Sequence, residues 1–173
     1  MNKPLHDFFT QDHERLDAIL NEATANPEIV DETLYHQFRV GLLTHIKMEE
    51  KILFPAARRA NNGEPIPMMA QLRLDHGALT ALMTVPPTKD VIKVIRYILT
   101  IHDLKEEEPG GMYDICERLT KGETDELLEV LAQTTEVPVH PPNPSDYVMG
   151  ATKRALERAG YDFDEIAALK LSE

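Results

Sequence analysis

A chain of 173 residues with 42% apolar and 28% charged residues fits one domain plus an appendage and excludes a disordered polymer. Its net charge of −12 argues against nucleic acid as a partner, because such a surface repels phosphate backbones. No apolar run approaches the roughly 18 residues of a membrane span, and the opening MNKPLHDFFTQDHERL lacks the apolar stretch of a signal peptide, so a cytoplasmic protein without membrane contact is expected.

Taken in chain order, the sequence predicts four long helices. The first covers about Pro4 to Ala25, with Phe9, Leu16 and Leu20 at helical spacing and Asn26-Pro27 as its stop. The second covers about Asp31 to Ala60 on a drifting stripe of Leu34, Phe38, Leu42, Leu53 and Ala57, and Asn61-Asn62-Gly63 ends it. The third starts near Pro65 or Pro67, carries Met69, Leu72, Leu79 and Met83, and ends before Pro86-Pro87. The fourth starts at Thr88 as N-cap, with Val91, Ile95, Ile98 and Leu99 as its stripe; Pro109-Gly110-Gly111 breaks it. Short loops between long helices predict an all-α, up-down-up-down four-helix bundle over residues 1–120. Residues 121–173 read as a C-terminal helical extension: a short helix over Thr124 to Gln133, a stiff linker from Val137 to Pro144, a helix from Asp146 to Ala159 stopped by Gly160, and a last one over Asp164 to Leu171.

The chain repeats itself. DHERLDAIL at 12–20 and DHGALTALM at 75–83 share D-H-x-x-L-x-A, and each is followed by H-x-x-x-E-E: His45 to Glu49-Glu50, and His102 to Glu106-Glu107. Positions i and i+4 lie one turn apart on the same helix face, about 6 Å along the axis, so an imidazole and a carboxylate so placed converge on one metal site. His13 and His76 lie beside Leu16 and Leu79 on inward stripes. Four histidines and two carboxylates at matched positions are poor core material, since each buried carboxylate costs several kcal/mol without a partner. The expected metal ligands are His13, His45, Glu49, His76, His102 and Glu106. Imidazole and carboxylate without thiolate suit iron, manganese or zinc. Six ligands exceed the four of a structural zinc site and suit two bridged octahedral ions, each with one open position. The Glu-x-x-His signature of ferritin-like sites is missing.

These residues — Asp12-His13, His45-x-x-x-Glu49-Glu50 running into Leu53-Phe54-Pro55, Asp75-His76 and His102-x-x-x-Glu106-Glu107 — resemble the hemerythrin-like, or HHE cation-binding, family over about residues 5–120. The resemblance implies a four-helix bundle with a non-haem di-iron centre that meets oxygen or nitric oxide. Oxygen-carrying hemerythrins have H-x-x-x-H on the third helix, where this chain has Leu72, and a final aspartate where it has Glu107. The pattern is more similar to di-iron proteins associated with iron-sulfur-centre repair, although their N-terminal cysteine-bearing segment is not found in this sequence.

The remaining residues have blander expectations. Cys116, the one cysteine, reads as a small buried apolar residue. His6 reads as exposed or at the site entrance, His36 faces away, and His140 lies in the linker. Glu50 and Glu107 stand about 100° around the helix from the ligands, with Glu107 the rival to Glu106 as final ligand. Asp12 and Asp75 are expected to orient imidazoles on neighbouring helices. Gly41 makes either room for a diatomic ligand or close helix packing. The leading function is binding, sensing or reacting with oxygen or nitric oxide at two iron ions. The alternatives are an iron store, donor or sensor whose tail docks a protein partner or a second copy, and a di-iron oxidase or peroxidase.

Overall fold

Every regular element among residues 2–170, which the computed structural model describes, is helical. α1 is Pro4–Ala23, α2 Glu32–Met48, α3 Phe54–Ala60, α4 Met69–Leu82, α5 Lys89–Glu107, α6 Met112–Leu119, α7 Thr124–Ala132, α8 Asp146–Ala159 and α9 Phe163–Ala168. The expected all-α class is therefore found, and no described helix is long and apolar enough to cross a membrane.

The helix ends follow local chemistry. Pro4 occupies the first turn of α1, where its missing N–H costs nothing. Asp31 caps α2 by accepting from the Leu34 N–H at 2.9 Å, Thr88 accepts from Val91 at 3.2 Å, and Ser145 accepts from Val148 at 3.4 Å. Gly160, at φ +91°, ends α8 in the left-handed region that favours glycine. The last expected helix is α9, and Leu171 lies outside the described residues.

The second predicted segment is not one helix. A π turn, Glu49–Leu53, separates α2 from α3, and the Phe54 N–H donates to the Glu49 carbonyl five residues back. Pro55 explains the break: it has no N–H to donate, and its ring would clash with the carbonyl of Lys51 in an unbroken α-helix. The wider turn rotates the chain so that Glu49 and Leu53 are both buried, which accounts for the drift of the apolar stripe.

The chain divides into two compact units. The first holds residues up to Met69 together with Asp103–Val139, and the second holds Ala70–His102 with the segment from His140 onward. α5 belongs to the second unit through His102 and to the first from Asp103. In the first unit, α1 packs along α2, α6 packs on α1 and α3, and α7 meets α1 and the π turn. Leu5, Phe9, Leu16 and Leu20 of α1 form the apolar face, interrupted by His13. A Cβ on Gly41 of α2 would lie 2.5 Å from Leu16 Cδ2, so this glycine serves close helix approach. The extended chain after α7 is tied to α2, with the Val137 N–H on Thr44 Oγ1 at 3.0 Å and Lys47 Nζ on the Thr135 carbonyl at 2.9 Å.

In the second unit, Leu72, Leu79, Val91, Ile95 and Ile98 are buried. The C-terminal segment is fastened there: Gln71 donates to the Ala159 carbonyl at 3.0 Å, Thr152 to the Ala81 carbonyl at 3.2 Å and Lys93 to the Ala167 carbonyl at 2.7 Å.

The break at Pro109-Gly110-Gly111 is observed, and it leads into α6, a helix the sequence reading did not resolve. Gly110 has φ +86°. A Cβ on Gly111 would lie 2.7–2.8 Å from the carbonyl oxygens of Lys105, Glu106 and Glu108, none of which can swing away as a side chain can. Gly111→Ala is expected to destabilise the protein by roughly 1–3 kcal/mol, read as a fall of several degrees in the thermal unfolding midpoint.

Candidate metal centre

The first unit collects four of the six expected ligand residues. His13 arrives on the apolar stripe of α1, His45 one turn beyond Leu42 on α2, Glu49 at the start of the π turn, and Glu106 near the end of α5. All four are buried, and Glu49 and Glu106 are 0% exposed. His13, His45 and Glu106 each offer a ligand atom within 4.8 Å of the others. The two Nε2 atoms of His13 and His45 are 2.9 Å apart, His13 Nε2 is 3.5 Å from a Glu106 oxygen, and His45 Nε2 is 3.5 Å from a Glu49 oxygen.

The outer nitrogens explain why this cluster suits a cation. His13 Nδ1–H donates to Glu107 Oε1 at 2.5 Å, and His45 Nδ1–H donates to Asp12 Oδ2 at 2.9 Å. A carboxylate acceptor fixes the ring proton on Nδ1 and leaves the Nε2 lone pair for a metal. Two such lone pairs then face the same small volume beside two buried carboxylates. That arrangement is repulsive unless a positive charge, a proton or a metal ion, lies among them. Metal bonds of about 2.1 Å place neighbouring donors roughly 3.0 Å apart in an octahedron and 3.4 Å apart in a tetrahedron, and the observed separations span that range.

The protonation equilibria carry the same message. Burial works against charge on His45, but the Glu49 carboxylate, the Asp12 hydrogen bond and Glu106 outweigh it and push its pKa up to about 10. Burial works against charge on Asp12 too, yet His45 and Arg15 hold its carboxyl below the usual carboxylate range. The site attracts positive charge strongly enough to bind a proton on a buried imidazole.

The expectation that Asp12 orients an imidazole on a neighbouring helix is met at His45, and Glu107 does the same for His13. Glu106 is buried in the cluster, whereas Glu107 reaches only the outer nitrogen of His13. Removing an orienting carboxylate typically costs 10–100-fold in metal affinity. Asp12→Ala is expected to fall in that range in a competitive metal titration, with the fold kept by circular dichroism.

The second unit holds His76 on α4 and His102 on α5, both 3% exposed, with ring centroids 4.8 Å apart. Asp75, fully buried, places Oδ2 3.4 Å from His102 Nδ1. Its other oxygen accepts from Gln71 at 2.8 Å and from the Tyr161 hydroxyl at 3.1 Å. The C-terminal segment, which holds none of the expected ligands, thus supplies a hydrogen bond to the aspartate that faces a candidate ligand.

Sequence reasoning missed Tyr113. It lies on α6, 1% exposed, stacked on Phe9 with ring centroids 5.1 Å apart. Its hydroxyl is 2.7 Å from Glu49 Oε1 and 3.0 Å from Glu106 Oε2. Burial, with the negative field of Glu106 and Glu49, pushes the phenol pKa well up, so the hydroxyl keeps its proton unless a cation offsets those carboxylates. Outside the cluster, His6 is half-buried with its Nε2 on the Glu107 carbonyl at 3.1 Å, and His36 and His140 are exposed. Leu72 is buried as an apolar core residue, Cys116 is buried with its thiol pKa pushed up by burial, and Glu50 is half-buried.

A family model, the hemerythrin HHE cation binding domain, matches residues 5–108. No curated protein and no solved structure matches the chain. The match spans more than half of the sequence, and the chain belongs to the hemerythrin HHE cation-binding family. It is a helical protein with a histidine–glutamate cluster able to hold a metal ion.

Proposed function

We propose that the protein is a non-haem di-iron protein that binds, senses or reacts with oxygen or nitric oxide. His13, His45, His76, His102, Glu49 and Glu106 are the proposed ligands. The observation that carries this reading is the facing pair of Nε2 lone pairs on His13 and His45, each ring fixed through Nδ1 by a carboxylate and set beside buried Glu49 and Glu106. The second histidine pair, carried by the repeated D-H and H-x-x-x-E motifs, supports two ions rather than one. A donor set without thiolate, larger than a closed zinc site needs, favours iron over zinc, with manganese the next fit. Bound iron supplies open coordination positions and one-electron exchange with a diatomic molecule. The chain's own residues aim the imidazoles, hold a dense negative charge out of water and keep the ring protons on the outer nitrogens.

Anaerobic reconstitution with ferrous iron, followed by metal analysis and absorption spectra under oxygen and then nitric oxide, tests the proposal. Two irons per chain and a spectral change with either gas are expected. One zinc per chain, or bound iron whose spectrum neither gas alters, overturns it.

A further inference from the structure

We propose that Tyr113 is itself a metal ligand, its phenolic oxygen joining His13, His45 and Glu106 around one ion. The inference rests on the metal reading above and goes beyond it, because Tyr113 lies outside the repeated motifs and outside the matched family segment, 5–108.

The geometry is the argument. The Tyr113 oxygen is 3.2 Å from His13 Nε2, 3.3 Å from His45 Nε2 and 3.0 Å from Glu106 Oε2. His13 Nε2 is 2.9 Å from His45 Nε2 and 3.5 Å from Glu106 Oε2. These separations fall in the range of about 3.0–3.4 Å between neighbouring donors around one ion with bonds near 2.1 Å, or within about 0.1 Å of it. Hydrogen bonding satisfies the same set only in part. A phenol has a single proton to give, and with Glu49 Oε1 at 2.7 Å four acceptors crowd its oxygen. The Nδ1 protons of both histidines are already committed to Glu107 and Asp12, so in the neutral rings each Nε2 turns a lone pair toward the phenol. A cation in the shared volume gives the phenolic oxygen, the two Nε2 atoms and the Glu106 oxygen one common partner. On coordination the ion replaces the hydroxyl proton, which leaves to solvent.

Tyr113 is held for this role. Phe9 stacks on its ring, the His6 ring stands edge-on at 6.0 Å, and α6 packs on α1 and α3. An anionic oxygen donor favours the ferric over the ferrous ion, so the phenolate makes this ion harder to reduce.

The test is the full chain loaded with ferric iron, read by absorption and by resonance Raman excited in the visible band. A phenolate-to-iron charge-transfer band carrying tyrosine ring vibrations is expected. Y113F is expected to lose the band, and the iron it holds at saturating loading shows a higher midpoint potential, while Y147F, at a tyrosine 80% exposed, keeps the band. Bound iron without tyrosine vibrations, or a band that survives in Y113F, overturns the ligand assignment and leaves the metal reading standing. A wild-type chain that takes up no iron overturns both. If Y113F does not fold, the wild-type Raman spectrum decides by itself.

Discussion

Stripping metal from the folded chain with a strong chelator is expected to lower its thermal unfolding midpoint by on the order of 10 °C, and re-adding iron should restore it. A ligand present at a thousand times its dissociation constant stabilises the native state by about 4 kcal/mol, and about 1 kcal/mol moves the midpoint by roughly 2–4 °C for a chain of this size. The sign comes from the charge count in the first unit. Asp12, Glu49, Glu106 and Glu107 face two imidazoles, His13 and His45. Arg15 offsets Asp12 and Glu107 is part-exposed, but Glu49 and Glu106, both 0% exposed, bring two negative charges into a buried place. A divalent or trivalent cation balances them, and the unfolded chain, whose ligands are far apart, gains nothing comparable. Differential scanning calorimetry with and without chelator checks the prediction. An unchanged midpoint in protein that had carried metal would count against a built cation site.

What the sequence made legible here was what a single helix can encode. His13 lies on the stripe of Phe9, Leu16 and Leu20, so its inward direction follows from α1 alone. His45 and Glu49 are one turn apart, and burial of both agrees with that spacing. The all-α class followed from uninterrupted helical periodicity and from Thr88 and Gly160 acting as helix ends.

Three features were beyond such reading. Glu106 and Glu107 differ by about 100° of rotation around α5, and only tertiary packing sets which angle meets the cluster. The π turn at Glu49–Leu53 has no compositional signature of its own; Pro55 was the available hint, and it also fits a plain helix start. Tyr113 follows a break in the chain and belongs to no repeat, and its place in the cluster depends on α6 packing against α1 and α3. A weak signal did exist: Met112, Tyr113 and Cys116 form an apolar face after the glycine turn, and all three are buried.

Glu49→Gln/Glu106→Gln separates a metal site from a merely polar core, because its two effects have opposite signs. Glutamine keeps the shape of glutamate, so packing around these 0% exposed side chains is retained. Metal affinity should collapse, since the remaining donors lose both buried negative charges. Without metal, the same substitution should stabilise the protein, because holding a carboxylate out of water costs several kcal/mol and holding an amide costs much less. The amide N–H groups can also donate toward the Nε2 lone pairs of His13 and His45, which lie 2.9 Å apart. The double variant should therefore unfold several degrees above the chelated wild type, below the iron-loaded wild type, and at a temperature that iron no longer changes. If these glutamates served only as structural hydrogen-bond acceptors for Tyr113, whose hydroxyl reaches both, the chelated wild type would be the more stable of the two. The order of the three midpoints, measured at one pH and one ionic strength, decides between the two roles.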